Sequence, residues 1–530
     1  AWMRPTARGF AIHADVAGAA WPVIVDPLLG VGERTFYDTA WGTAPLGGVG
    51  TGDNDGDGRG DLAISYLGTD DPDSPMAGLA WFRGSATGIG AAHEAFFADQ
   101  WGAPVVYGFG RLTGEAGAWI AAAPTAFGTM TELWLIGPSS YRPPRLEMQF
   151  AWQGSDEDWV YVDAAFCDIN GDDFSDLVLL VYRVGAAGTS SELSLYHGGE
   201  DRIDPTRPDA VMTLGEEAVS VACPGDVDAD GFDDLLVASP AASGAFQGEG
   251  VVELYVGGAA GISPTAAWRV EGGVASRRLS MARRRADLDG DGVEDVVLLS
   301  SSSGTRYVGS QPVDFNESGM WVYRGGPGGP EPTPFMELTP PSTSTWFPVG
   351  PVGDVDGDGD DDVGVVYTTS EPFQWHAELR RSTGSAIEAA PVFELLGSGL
   401  RAAGDVNGDG YDDVIVSAQR HRSTGAARYA VSVLHGSPTL DGDRDGDGWA
   451  DVSDCADQDA GRHPGVAEVW RNGVDENCDG LDMSFMLRGP ATRRVGEGTT
   501  WYGTASAEGA RVVLFASLAE ELFGEEKARS

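Results

Sequence analysis

Short runs of Val, Ile, Leu and Tyr recur along the chain, and many follow directly on a tight cluster of acids and glycines. In residues 404–418, GDVNGDGYDDVIVSA, the cluster gives way at once to an apolar, largely β-branched run. Runs this short, bounded by turn residues, predict strands, and few stretches carry the spacing of an amphipathic helix. The pattern predicts an all-β fold built from a repeated unit: inner strand, acidic loop, second strand, long loop, third strand, turn, outer strand. Successive strands of such a unit run antiparallel. All acidic loops therefore fall on one face, and the loops joining strands two and three fall on the other.

The acidic loop has the spacing of a cation site. Asp405, Asn407 and Asp409 stand two apart, Gly408 and Gly410 permit the reversal, and the Tyr411 carbonyl and Asp413 follow at positions seven and nine. Calcium takes about six to eight hard oxygens, and one-three-five spacing aims several side chains inward from a single loop. Carboxylates so crowded repel one another unless a cation lies between them. Complete copies begin at Asp53 (with Asp55, Asp57, Arg59 and Asp61), Asp168 (Asn170, Asp172, Phe174, Asp176) and Asp226 (Asp228, Asp230, Phe232, Asp234). Two more begin at Asp287 (Asp289, Asp291, Val293, Asp295) and Asp354 (Asp356, Asp358, Asp360, Asp362). An EF-hand needs a bidentate Glu at its twelfth position and flanking helices. Here that position reads Ile64, Leu179, Val237, Leu298, Val365 and Val416. Each loop therefore joins two strands, and the six calcium ions expected there are structural rather than switching, with no helix pair to open.

Four of the five steps between loop starts span 51 to 67 residues, and the step from Asp53 to Asp168 is about twice as long. That gap holds a degenerate copy, GFGRLTGEAGAWIAAAP at 108–124, with Arg111, Thr113, Glu115 and Trp119 in ligand places. Seven units at this period predict a seven-bladed β-propeller over 32–437. The last unit stops at Pro438 one strand short. ERTFYDTAWG from Glu33 resembles the outer strand HEAFFADQWG at 93–102, so residues 35–41 are expected to supply the missing strand and close the ring.

Residues 1–31 read as the tail of an upstream β domain or linker, and 483–530 as the start of a C-terminal β-sandwich-like domain. Residues 438–482 change character. Asp443, Asp445, Asp447, the Trp449 carbonyl, Asp451 and Asp454 form a further acidic loop, and one or two calcium ions are expected in 441–480. Too few apolar residues remain there for a core, so metal and a Cys455–Cys478 disulfide would hold the module. Cys167 and Cys223 precede loops of neighbouring units, and two buried free thiols are expected rather than a bridge.

The formal net charge is −47, from 34 Lys and Arg against 81 Asp and Glu. Much of it is ligand: the six loops use 22 carboxylates and the later loop five more. Seven calcium ions would add fourteen positive charges and bring −47 to −33. The remainder argues against nucleic acid or an anionic membrane as partner. No apolar run is long enough for a membrane span. The chain begins at Ala1 in mid-pattern and reads as a mature or trimmed piece. Loops of this weak-binding type suit a calcium-rich setting outside the cytosol.

The GDVNGDGYDDV loop and its five companions over 32–437 resemble the FG-GAP repeats of the integrin α-subunit propeller and its bacterial relatives. The resemblance implies calcium in the loops and recognition of a protein or glycan ligand from the opposite face. Segment 441–480 is similar to thrombospondin type 3 calcium repeats and to the DCDD...DxDCDG metal-binding motif of bacterial surface proteins, with DCAD in place of DCDD.

Arg59, Gly60 and Asp61 spell RGD, but Asp61 is already a loop ligand, so chance is the expected reading. Seven scattered His form no HExxH, and no GxSxG elbow occurs, so no catalytic constellation is visible. Trp41, Trp101, Trp159, Tyr307 and Trp346 fall on the presumed recognition face. Packing between blades is expected of them, with stacking on a sugar or anchoring a protein as the alternative. The function expected is non-catalytic adhesion or ligand binding by an extracellular or cell-surface bacterial protein. The alternatives are a polysaccharide-degrading enzyme on the same scaffold and a structural spacer that assembles through the terminal β segments.

Overall fold

The structure is a computed structural model. Within 34–437 it describes all residues but 37–48, 69–75, 87, 90–92, 99–104, 116, 124–131, 138–145, 152–158, 186–187, 202, 216, 309–310, 317, 340–344, 371–372, 397–398 and 422–426. Outside that span it describes five strands and the pair Gly461 and Arg462. Every regular element among the described residues is a β-strand.

Residues 34–422 and 426–438 form one compact unit, an all-β propeller of four-stranded antiparallel sheets. Six sheets take their strands from consecutive stretches of chain. Sheet 1 is Val49–Gly52, Asp61–Gly68, Met76–Phe82 and His93–Ala98. Sheet 2 is Val105–Gly110, Trp119–Ala123, Glu132–Ile136 and Leu146–Ala151. Sheet 3 is Trp159–Cys167, Asp176–Gly185, Gly188–Tyr196 and Ala210–Leu214. Sheet 4 is Ser220–Gly225, Asp234–Ser239, Val251–Tyr255 and Trp268–Glu271. Sheet 5 is Ser280–Met281, Val296–Ser300, Gly319–Tyr323 and Met336–Leu338, with a separate hairpin, Ser303–Val308 and Gln311–Asn316, inserted between its second and third strands. Sheet 6 is Thr345–Gly353, Asp362–Ser370, Phe373–Arg380 and Phe393–Leu396.

A further sheet, sheet 7, joins distant parts of the chain. Gly399–Gly404, Asp413–His421 and Ala427–Leu434 are completed by Arg34–Phe36, through the pairs Val431 with Phe36, Ser432 with Thr35 and Val433 with Arg34. Of the expected 35–41, Thr35 and Phe36 are in this strand, and 37–41 lie outside the described residues.

Each second strand is buried on both faces because its sheet lies between two others, which is why these segments read as apolar runs rather than as alternation. In sheet 3, Leu177, Leu179 and Val181 pack with Trp119, Ala121 and Leu135 of sheet 2. The intervening Val178 and Leu180 pack with Val221, Leu235 and Val237 of sheet 4. The same two-residue period places Leu62 and Ile64 of sheet 1 against Ala403, Val406 and Ile415 of sheet 7.

The expected free thiols are corrected. Cys167 and Cys223 are joined by a disulfide, with Cα atoms 5.6 Å apart. They lie on the first strands of sheets 3 and 4, and that separation is within the reach of a bridge. The Cys223 strand shifts register between Ala222 and Gly225, so its cysteine sits in an irregularity rather than in the regular pleat.

Three consecutive arginines after the first strand of sheet 5 reach three other sheets. Arg283 holds both oxygens of Asp163 on sheet 3, at 2.9 and 2.6 Å, and contacts Ser220 of sheet 4 at 3.0 Å. Arg284 meets Asp412 beside sheet 7 at 3.0 Å. Arg285 pairs with Asp233 beside sheet 4 and, at 3.3 Å, with Glu294 of its own unit.

The second unit comprises residues 1–33, 423–425 and 439–530. In it Trp2–Thr6, Gly9–Ala14 and Thr499–Gly503 make a three-stranded sheet, and Ala20–Asp26 pairs with Val513–Ser517. The two terminal segments, expected as parts of separate domains, share sheets with one another. Apart from Gly461 and Arg462, the module at 438–482 lies outside the described residues.

Asp163 is 3% exposed, so removal of its guanidinium partner leaves a buried carboxylate uncompensated. Arg283→Met is expected to lower unfolding free energy by about 2–3 kcal/mol in chemical denaturation. An unchanged midpoint would show that the pair contributes nothing.

Candidate metal centres

Six loops join the first and second strands of sheets 1 and 3 to 7, and they share one set of backbone hydrogen bonds. In the loop at 226–234, Asp226 accepts the N–H groups of Asp230 and Gly231 at 3.0 and 2.8 Å, and Asp230 accepts that of Phe232 at 3.1 Å. Asp234 accepts from Val227 at 3.1 Å within the loop and from Gly257, just past the third strand, at 3.0 Å. Each carboxylate thus organises the loop with part of its acceptor capacity and keeps the rest for a ligand.

The other five loops repeat these bonds. The sixth N–H goes to the first carboxylate, donated by Gly58, Asp173, Gly292, Gly359 and Gly410. The seventh N–H goes to the fifth carboxylate, donated by Arg59, Phe174, Val293, Asp360 and Tyr411. The seventh carbonyl shares its peptide plane with the eighth N–H, which for Gly60, Ser175, Asp233, Asp361 and Asp412 donates to a backbone carbonyl of a neighbouring loop. The sixth residue has positive φ in every loop, +88° at Gly58 and +68° at Asp173, which explains the glycine bias at that place.

The ninth acid is the most enclosed group. Asp61, Asp176, Asp234, Asp295, Asp362 and Asp413 are all within 2% of full burial. Burial pushes Asp176 up to about 6, Asp61, Asp234 and Asp295 up to about 7, and Asp362 up to about 8, opposed only in part by the N–H groups that each accepts. The RGD aspartate, Asp61, is accordingly committed to its loop.

Carboxylate oxygens of Asp53, Asp55 and Asp57 converge within 4.8 Å of one another, as do those of Asp226, Asp228 and Asp230, of Asp287, Asp289 and Asp291, and of Asp354, Asp356 and Asp358. The loops at 168 and 405 place an amide there instead, and Asn170 and Asn407 accept the N–H groups of Asp172 and Asp409 at 3.1 and 2.9 Å. Asp228 and Asp289 each keep a buried Oδ1 with no hydrogen-bond donor. A buried charged oxygen without a partner is costly, and an all-oxygen donor set suits a hard divalent cation. The residues present therefore fit a metal.

The degenerate loop of sheet 2 solves the same problem without one. Trp119 is fully buried in the ninth place, and its indole N–H donates to the Thr113 hydroxyl at 3.2 Å. Arg111 stacks over Phe174 of the next loop, 5.0 Å from its ring centre. The former twelfth-position test holds in space: Ile64, Leu179, Val237, Leu298, Val365 and Val416 all lie within second strands and are buried. Asp443, Asp445, Asp447, Trp449, Asp451 and Asp454 lie outside the described residues. So do Trp41 and Trp101, while for Trp159, Tyr307 and Trp346 only the backbone is described.

Sequence reasoning missed the basic residue that directly follows the third strand in sheets 1, 3, 5, 6 and 7. Arg83 reaches Asp55 at 2.9 Å, and Arg324 and Arg381 pair with Asp289 and Asp356. His197 and His435 lie 3.1 Å from Asp176 and Asp413. The signal was a basic residue placed directly before the Gly or Ser whose N–H caps the ninth acid.

Because Asp61, Asp176, Asp234, Asp295 and Asp362 carry raised pKa values, the metal-free fold gains stabilising protons that are fully present near pH 4 and lost as pH rises through 6 to 8. Thermal unfolding of metal-depleted protein should therefore show a midpoint falling from pH 5 to pH 8. Added divalent cation should flatten that slope, since it favours the ionised form. A flat profile without metal would contradict the assignment.

The FG-GAP repeat family matches residues 218–252 and 401–434, which cover the loop hairpins of sheets 4 and 7. The Cu-binding_MopE family, a metal-binding motif, matches 454–482. Integrin alpha-4 of Xenopus laevis is 30% identical over 158 residues, which is 26% of this chain and 14% of that protein. Among solved structures, the WD40 domain of SCAP from fission yeast is 8% identical, with 80% of this chain and 92% of that one covered at a TM-score of 0.35. The fission yeast SREBP-SCAP binding domains are 10% identical, with 61% and 70% covered at a TM-score of 0.30. Those two scores are too low to bear on the fold. With acidic hairpin loops repeated through the propeller and both models matched in sequence, the β-propeller carries FG-GAP repeats at 218–252 and 401–434, and a metal-binding motif follows it at 454–482.

Proposed function

We propose that the protein is a calcium-stabilised, non-catalytic binding or adhesion module that works outside the cytosol. The observation that carries the metal reading is the pair of buried, donorless oxygens on Asp228 and Asp289 inside converging carboxylate clusters. Calcium suits these loops better than magnesium, because one flexible loop supplies many oxygens and magnesium demands stricter octahedral geometry. Six ions would occupy the propeller, with one or two more at 441–480, and sheet 7 would act as the closing blade of a seven-bladed ring.

Ligand recognition is assigned to the face opposite the metal loops. A cavity of about 420 Å³ lies there, lined by Pro240, Arg278, Ser301 and Ser302. Arg278 is held at φ +55°, a conformation L-residues rarely adopt, and Phe246 nearby in sequence is 47% exposed. A cation and two hydroxyls suit binding of a protein or glycan, and this lining offers no carboxylate pair for glycoside cleavage.

EGTA is expected to lower the unfolding midpoint, with about 2.7 kcal/mol lost per site when calcium had stood at one hundred times Kd. An unmoved midpoint removes the calcium reading. Binding of the full chain to a glycan and protein array should weaken with Arg278→Ala. Release of sugar fragments from a polysaccharide incubated with the chain would overturn the non-catalytic assignment.

A further inference from the structure

The six loops are not electrostatically alike, and the difference lies in the residue between the third strand and the capping Gly or Ser. Where the third ligand place holds Asp55, Asp289 or Asp356, that residue is Arg83, Arg324 or Arg381, and its guanidinium pairs with the acid. Where the third place holds Asn170 or Asn407, the residue is His197 or His435, with ring nitrogens 3.3 and 3.4 Å from the amide. In sheet 4 the third place holds Asp228, and the corresponding residue is Val256, directly before Gly257.

The net charge of each site follows. Counting the ligand acids at places one, three, five and nine, four carboxylates less one guanidinium leave three negative charges in the loops at 287 and 354, with the Asp360 carboxylate lying beside both. The loop at 53 has no more than that, since Arg59 also pairs with Asp57 at 3.2 Å. The loops at 168 and 405 reach three by carrying an amide in place of one acid. Only the loop at 226–234 presents four carboxylates with no basic side chain on its third acid, and the buried Oδ1 of Asp228 has no donor. Arg285 nearby is engaged with Asp233 and Glu294, which are not ligand places.

Ligand charge count is one of the terms that sets calcium affinity in oxygen-ligand loops. A guanidinium on one oxygen of a ligating acid lowers the negative potential at the cation and also stabilises the empty loop. Both effects weaken binding. Resting on the calcium reading above, we propose that loop 226–234 is the tightest of the six sites and the last to empty. Arg83, Arg324 and Arg381 are internal counter-charges that hold their own loops at lower affinity and steady them when the ion leaves.

The test is ion counting by native mass spectrometry on the full chain across a series of buffered free calcium concentrations. Wild type should retain one ion after the other propeller ions are lost. Val256→Arg, which copies the arrangement of three sister loops, should release that last ion at about tenfold higher free calcium. Arg324→Val, the converse change in another sheet, should add a second ion to the tight class. If ions bind but neither variant moves the last dissociation by more than about twofold, this inference falls while the calcium reading stands. If no variant binds an ion, both fall.

Discussion

A carboxylate buried at the root of a hairpin is the constraint on which the propeller rests. The ninth acid of each loop receives an N–H from its own loop and one from the second residue past the third strand, so it ties three strands of a sheet together at one point. The same position strips it of water, and the charge is tolerable only beside a cation or with a proton. The charge state of this acid, the hairpin and the third strand are therefore one energetic unit.

The loops also join the sheets to one another. The N–H of the eighth residue donates to the carbonyl of the first residue in the neighbouring loop, as Gly60 does to Asp405, Asp233 to Asp168, Asp361 to Asp287 and Asp412 to Asp354. The degenerate loop keeps this link, with Ala118 donating to Asp53 at 2.8 Å and Ser175 to Arg111 at 2.8 Å. Loss of ligands in sheet 2 was thus compatible with retention of the backbone geometry, because Trp119 and Thr113 satisfy each other where acids would need an ion. The arginines at 283 to 285 add a second layer of ties, charge to charge, near the inner strands.

These ties leave the two faces of the propeller with different freedoms. The loop face is constrained by repeated hydrogen bonds and by crowded charge. The opposite face carries the inserted hairpin of sheet 5 and the cavity beside Arg278, where chain length and conformation vary from sheet to sheet. Binding surfaces commonly arise on such connections over a rigid scaffold.

The spacing of Asp, Asn and Gly in 404–418 and its copies was enough to locate the six acidic hairpin loops of the propeller and the strand that follows each, because those features depend on neighbours only a few residues apart. The likeness of 33–42 to 93–102 was enough to find the strand that completes sheet 7. Three things needed the tertiary structure. The Cys167–Cys223 bridge depends on how two inner strands approach; the basic partners of the third-position acids come from residues 25 to 35 positions downstream; and the arginine ties of 283–285 cross between sheets. Each is a meeting of groups distant in sequence, and a local pattern carries no information about the distance between them once the sheets have packed.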